Sequence, residues 1–335
     1  MRPVCEITIN GAPVSGLFSR RLISCEVSDR EGLSSDTMRV TLHDDPPAKI
    51  PDVGDTMACR MGYGGGLVDM GEYVIDGVEV RALPGEMTLT GKAADLTGKV
   101  KESKDRHWDD TSIKTIVTDL ASELDLKAKV DDQVGAFVYE WIGMLGESPL
   151  HFLERLAGRH GALFSIKGRT LIFASRGTGQ APGGAALTAT TLAAGMIAPG
   201  TLAFSRSSRS DYESVVAKWI NRETSRENTV RITTKGRNTG GEYKIGSRFG
   251  SESEARAAAQ AKSDELQRST FEFRCQIIGQ PTARAGAPVI FVGCRVGIDG
   301  REFILSEATH SFSKSGYTTS LAGYLKTDSL GVRPE

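Results

Sequence analysis

The chain has 335 residues, 39% of them hydrophobic and 25% charged, which suits a globular protein of two or three domains rather than a disordered or fibrous chain. Its net charge of −1 is unevenly spread: residues 1–95 carry 9 Lys/Arg against 15 Asp/Glu, residues 96–205 carry 12 of each, and residues 206–335 carry 20 against 15. A nucleic-acid binder would show a concentrated basic stripe, and a membrane span would need a run of about 18 apolar residues; the sequence has neither.

Residues 4–95 alternate with the period of strands that bury one face. Val4, Ile7 and Ile9 lead into Asn10-Gly11, a tight-turn pair. Ile23, Cys25 and Val27 alternate with Ser24, Glu26 and Ser28; Met38, Val40 and Leu42 alternate with Arg39, Thr41 and His43. Pro46-Pro47, Gly54-Asp55, Gly64-Gly65-Gly66 and Pro84-Gly85 punctuate the segment, the pattern of a barrel or sandwich. No secretory leader precedes it, so synthesis in a cytoplasm is expected.

The period then changes. Ile113, Ile116, Val117, Leu120, Ala121 and Leu124 share one face of an amphipathic helix, with Asp110 placed to cap it. A second helix is expected over about 149–159, with Ser148 as N-cap, Pro149 as its first residue and Gly161 at its end. Leu163–Ile166, a Lys167-Gly168 turn and Thr170–Phe173 read as a hairpin. Residues 177–205 carry no charge and are rich in Gly, Ala, Thr and Pro, so they read as a linker, or as an arm packing on a neighbouring subunit. Strands return at 212–220, 229–232, 271–278, 289–292, 303–306 and 317–321. Between them Ser251 and Glu254 form a capping box that opens a helix over 252–268.

The two β regions look alike. Gly54-Asp55-Thr56-Met57, Glu72–Val78 and Met87–Gly91 correspond to Gly286-Ala287-Pro288-Val289, Glu302–Ala308 and Thr319–Gly323. Changes of a residue or two in turns cost little, because loop closure depends weakly on length. A duplicated barrel would let three chains present six similar units, and an acidic unit beside a basic one would give such a ring complementary borders.

Catalytic patterns are missing: there is no GxSxG elbow, P-loop, HExxH or GxGxxG. Gly64-Gly65-Gly66 falls between strands, not before a helix, so it reads as a turn rather than a phosphate cradle. His151, Glu154 and His160 cluster near the second helix but do not share one face. Asp109 and Asp110 are adjacent and point apart. Trp108, Trp141 and Trp219 read as core or interface anchors. Cys5, Cys25, Cys59, Cys275 and Cys294 include no CxxC pair and no zinc spacing, so free thiols are expected, with a bridge between subunits as the alternative. The sequence therefore predicts no catalytic, cofactor-binding or metal-binding residues and no cofactor.

Taken in order, several segments give the chain a family likeness. They are Trp108–Val117, Glu147–Ala157 with Gly161-Ala162, Tyr212–Ala217, the Ala-rich helix from Glu254, and His310-Ser311-Phe312 with Gly316–Thr319. The chain resembles the late control D family of contractile-tailed phages, whose members are baseplate hubs similar to the hub part of type VI secretion spike proteins. The resemblance implies a mainly β fold with an α+β insertion: two related antiparallel, tube-like β-barrels flanking a central α+β region. The expected division is 1–95, first barrel; 96–176, central α+β; 177–205, linker or arm; 206–335, second barrel with the inserted helix 252–268. It further implies a homotrimer in the virion baseplate that adapts the sixfold tail tube to the threefold central spike and forms a channel. Its partners would be the tail tube protein, the central spike protein, and tape-measure and other baseplate proteins, without specific nucleic-acid recognition. A hub-associated peptidoglycan hydrolase would need paired carboxylates or a Cys/His site; a free-standing host- or carbohydrate-binding module would be monomeric.

Overall fold

The structure is a computed structural model that describes residues 2–13, 21–32, 36–93, 102–181, 184–207, 212–221, 224–234 and 241–326. The first β region contains β1 (Pro3–Ile9), β2 (Ala12–Pro13), β3 (Leu22–Arg30), β4 (Thr37–His43), β5 (Thr56–Tyr63), β6 (Gly66–Arg81) and β7 (Glu86–Lys92). They pair in the order β3-β4-β7-β6-β5-β1-β2, every step antiparallel. Asn10 and Gly11 both take left-handed φ values, 51° and 73°, as a two-residue hairpin turn requires. Alternate residues enter one core: Cys25 and Val27, Met38, Val40 and Leu42, Met57, Cys59 and Met61, Tyr73 and Ile75, Met87 and Leu89. The expected boundary at 95/96 lies outside the described residues.

The central region holds β8 (Lys104–Ser112), α1 (Ile113–Glu123), β9 (Lys127–Val130), α2 (Asp132–Gly135), β10 (Val138–Glu147), α3 (Pro149–Arg159), β11 (Ala162–Lys167) and β12 (Thr170–Ser175). β8 and β10 form an antiparallel ribbon; β11-β12-β9 form a small mixed sheet. The apolar stripes of α1 and α3 close over both, burying Ile113, Ile116, Val117, Leu120, Phe152, Leu153 and Leu156. Ser148 caps α3 with Pro149 at its start, as its sequence dictates. The cap of α1 differs from expectation. Strand pairing continues through Ser112, opposite Val138, so the helix begins only at Ile113. Ser112 Oγ accepts from the Thr115 amide at 3.2 Å, whereas Asp110 lies upstream at φ 46°.

The second β region contains β13 (Thr190–Ala193), β14 (Ala203–Arg206), β15 (Ser214–Asn221), β16 (Arg226–Thr233), β17 (Glu242–Phe249), α4 (Glu252–Arg268), β18 (Phe271–Ile278), β19 (Pro288–Val292), β20 (Glu302–Ser313) and β21 (Gly316–Leu325). The main sheet runs β14-β18-β21-β20, with β19 on β20 and β13 on β19. The charge-free segment is thus not only a connector: β13 and all of β14 but its last residue, Arg206, come from it and pair into the sheet. β15, β16, β17 and α4 form a separate unit inserted between β14 and β18, with its own core around Val215, Ala217, Val230, Phe249 and the Ala255, Ala258, Ala259 face of α4.

The likeness of the two β regions extends to atomic detail. β4-β7-β6-β5 corresponds to β18-β21-β20-β19, with Val40 opposite Leu89 in one and Cys275 opposite Leu321 in the other. Both long strands bulge at the same place, between Ile75 and Gly77 in β6 and between Leu305 and Glu307 in β20. Both bulges are braced alike. Gly54 N–H donates to Ile75 O at 2.9 Å, and Ile75 N–H to Asp55 O at 2.8 Å. Gly286 N–H donates to Leu305 O at 2.7 Å, and Leu305 N–H to Ala287 O at 3.0 Å.

Candidate functional site

The features with functional promise are the places where the two β units meet and the places where an equivalent meeting is left open. After its bulge, β20 leaves β19 and pairs antiparallel with β3: Glu307 faces Arg30, Thr309 faces Ser28 and Ser311 faces Glu26. Both units therefore belong to one continuous sheet. Antiparallel steps carry β3 to β6 and β14 to β20, so the two units point the same way along their strands. Ser28 and Thr309 hydroxyls touch at 3.1 Å, and Arg30 pairs with Glu307 at 2.9 Å.

The central region is bolted onto this seam by charge. Lys167, at the tip of the β11–β12 hairpin, reaches Asp29 at 2.6 Å and Asp36 at 3.2 Å. Asp29 is 5% exposed, and its other oxygen accepts from the Ala285 amide at 3.1 Å. Burial raises the Asp36 pKa, and the neighbouring Asp29 charge adds to the effect. Burial works against a charged Lys167, yet the two carboxylates outweigh it and leave its pKa raised. Nearby, Arg176 pairs with Glu31 at 3.5 Å, and Tyr324 donates to Glu31 at 3.0 Å. A cleft of about 440 Å³ opens beside this cluster, lined by Asp29, Asp36, Asp69, Lys167, Arg284 and His310. His310 is fully buried, its ring bonded to Tyr317 at 2.8 Å and Ala283 O at 3.1 Å; burial, then the Arg284 charge, pushes its pKa down to about 4. These groups are consumed by one another, as in a structural joint.

Several strand edges are open among the described residues, two of them on β6 and β14. β6 pairs with β5 only through Val74, so Gly77–Arg81 have β7 on one side and no strand on the other. β14 pairs with β18 alone. The repeat equates these edges with the two strands of the seam: β6 beyond its bulge corresponds to β20 beyond its bulge, and β14 on β18 corresponds to β3 on β4. Exposed apolar side chains lie around the same unit ends, with Val80 41% and Leu83 93% exposed.

The other candidates fall as follows. Trp108 is buried, stacked on Phe152 at 5.2 Å, and donates to Asp119 at 3.3 Å. Trp141 is exposed on β10, and Trp219 packs against the inserted unit's core. His160 binds the Tyr139 hydroxyl at 2.7 Å, whereas His151 is exposed. Gly64 and Gly65 form the β5–β6 turn at positive φ. All five cysteines are free thiols. Sequence spacing missed one grouping: Cys5, Cys25 and Cys59 bring their sulfurs within 4.8 Å of one another. They sit on strands remote in sequence, so no local motif announces them.

A duplicated, mainly β platform with open strand edges and a charge-bolted side unit defines an assembly component. The family model of the phage tail baseplate hub (GPD) matches residues 66–316, and the chain belongs to that family. It is 27% identical over 375 aligned residues to the probable baseplate hub protein of Escherichia phage 186, covering 100% of this chain and 96% of that one. The corresponding protein of Escherichia phage P2 is 26% identical over 363 residues, covering 96% and 92%. Among solved structures, a tail protein from Neisseria meningitidis MC58 superposes with a TM-score of 0.73 at 13% identity, covering 98% of this chain and 99% of that one. The protein is a structural hub of the phage tail baseplate, not an enzyme. No helix among the described residues is long and apolar enough to cross a membrane.

Proposed function

We propose that three copies close into a ring through two of these open edges, β6 of one copy pairing with β14 of the next. The observation that carries this reading is that the chain already makes the equivalent joint internally, between β20 and β3. Carrying that register across the repeat sets Glu79 opposite Ser205, Val80 opposite Phe204 and Arg81 opposite Ala203. Because both units point the same way, six of them in sequence give a threefold object with near-sixfold faces. Such a ring continues a sixfold tail tube on one side and seats a threefold central spike on the other. The sheet faces turned away from the barrel cores, carrying Glu26, Arg39 and Thr90, would line the passage. DNA would cross it without sequence readout, and tape-measure and other baseplate proteins would dock at its rims.

The test is disulfide trapping in the Glu79→Cys/Ser205→Cys double variant, at the position where Ser28 and Thr309 touch within the chain. Mild oxidation should convert the chain to a covalent trimer and nothing larger, while each single variant stays uncrosslinked. Pulling down tail tube and spike proteins with the trimer checks the partners. A chain that stays monomeric through assembly, or crosslinks without closing at three, overturns the ring.

A further inference from the structure

The two β units fill the same interior with different chemistry. Strand register equates Met38 with Phe273 and Ala58 with Ile290, so Cys59 and Phe291 are the next residues along equivalent strands. The second unit packs Phe204, Phe273, Phe291 and Phe303 together, ring centroids 5.0 to 6.3 Å apart. In the first unit, Cys25, Cys59, Met38, Met57, Met61 and Met87 are each no more than 1% exposed. Phenylalanine shows that this architecture needs only apolar bulk there. Three thiols at one point are therefore a property of the first unit, not a demand of the fold.

Their placement is specific. Cys5 comes from β1, Cys25 from β3 and Cys59 from β5. β3 begins the strand path of this unit and β1 lies near its end, and no hydrogen-bonded pairing joins them among the described residues. The thiols cross that seam. Cys59 Sγ lies 3.7 Å from Cys5 Sγ and 3.7 Å from Cys25 Sγ. A metal–sulfur bond of about 2.3 Å sets sulfurs about 3.8 Å apart around a tetrahedral ion and about 4.0 Å apart around a trigonal one. A central ion thus fits with sulfur shifts of a few tenths of an ångström.

We propose that Cys5, Cys25 and Cys59 form a three-thiolate site for one thiophilic d10 cation, Zn(II) or Cu(I), which staples the seam of the first unit. An all-sulfur donor set selects such ions over Mg²⁺ or Ca²⁺, which take oxygen ligands. Three thiolates leave a net charge of −1 around Zn(II) and −2 around Cu(I); the smaller buried charge costs less, so Zn(II) is the favoured occupant. Cys25 and Cys59 are fully buried, whereas Cys5 is partly exposed and gives the ion its entry and Zn(II) a water as fourth ligand. As each metal–sulfur bond forms, a neutral thiol loses its proton to solvent, so binding from three thiols releases three protons.

The test uses the full chain, reduced and stripped with a chelator, then titrated with Zn(II) and separately with Cu(I) against competing chelators. Cd(II) serves as the spectroscopic probe through thiolate-to-metal charge-transfer absorbance. One ion per chain, that absorbance and a raised melting temperature are expected. Removing a first ligand should weaken binding beyond the roughly 10–100-fold that loss of an outer-shell partner costs. Cys59→Ala and Cys5→Ser should both do so; Cys275→Ala, an equally buried thiol in the other unit, should not. Cys5→Ser leaves the fully buried positions intact and decides the matter if Cys59→Ala does not fold. Failure of both Zn(II) and Cu(I) to bind stoichiometrically, or unchanged binding in Cys5→Ser, overturns the site. Neither result bears on the trimer.

Discussion

Asp110 and Ser112 are two residues apart, and both belong to the residue types that cap helices. Sequence alone favours Asp110, as the acidic residue ahead of the apolar stripe. The structure assigns the cap to Ser112 because strand hydrogen bonding persists up to it, and an N-cap needs extended backbone at the point where the helix turns in. Asp110 instead occupies a left-handed position, where a side chain is a burden that glycine lacks. The two roles make opposite predictions. Ser112→Ala should cost about 1 kcal/mol in urea unfolding, the usual loss for a cap. Asp110→Gly should be neutral or slightly stabilising. Equal losses at both positions would return the cap to Asp110. The trithiol grouping marks the limit of reading at this scale: each cysteine occupies an ordinary inward position on its own strand, and only the curl of the sheet brings them together.

Elements were legible where periodicity was unbroken. β18 and α4 occupy Phe271–Ile278 and Glu252–Arg268, the spans their patterns indicate. β20 was expected to stop near Ser306 but runs to Ser313. The bulge at Ser306 explains the difference: one extra residue shifts the inside–outside alternation, so the continuation falls out of phase with what precedes it. β13 and β14 were hidden for another reason. Each has four residues, and a segment without charged residues gives no polar face against which to see alternation. The repeat was legible because the bulge occurs twice, together with the glycines that permit it. A Cβ on Gly91 would stand 2.8 Å from Val74 O and 2.5 Å from Met57 Cε. A Cβ on Gly323 would stand only 2.3 Å from Ile304 O, the equivalent carbonyl. Backbone cannot yield as a flexible side chain does, so Gly91→Ala and Gly323→Ala should each destabilise by about 2–3 kcal/mol, in the range of an overpacked core. Gly246, with open space around it in β17, serves as the control and should lose far less when made alanine. Equal melting temperatures for all three variants would contradict the shared bulge geometry.

At the scale of the molecule, the uneven charge of the sequence takes a different meaning once the seam is visible. An acidic first unit and a basic last third suggest mutual attraction. Within the chain, however, Asp29 and Asp36 are engaged by Lys167, and Glu31 by Arg176, both from the central region. The ion pair that joins the two β units among the described residues, Arg30 with Glu307, runs against their net charges. Three acids of the first unit, Asp29, Glu31 and Asp36, thus hold the central region, and strand pairing rather than net charge joins the β units. Lys167 is the key to that hold, because Asp29 is buried and lies beside a second carboxylate. Lys167→Met removes the only cation that Asp29 and Asp36 share among the described ion pairs and leaves two acids in a low-dielectric joint. Breaking a fully buried pair costs about 3–5 kcal/mol; with the Lys167 side chain 38% exposed, a loss of about 2 kcal/mol is expected. The loss should be greatest near neutral pH and shrink as pH falls, because the raised pKa of Asp36 lets it take up a proton early and relieve the repulsion. Adding Asp36→Asn should recover part of the stability at neutral pH for the same reason. Urea unfolding of the single and double variants at two pH values measures all three effects, and hydrogen exchange in β11 and β12 reports whether the hairpin loosens. A Lys167→Met chain as stable as the parent would mean that β pairing and the Arg176–Glu31 contact hold the central region unaided.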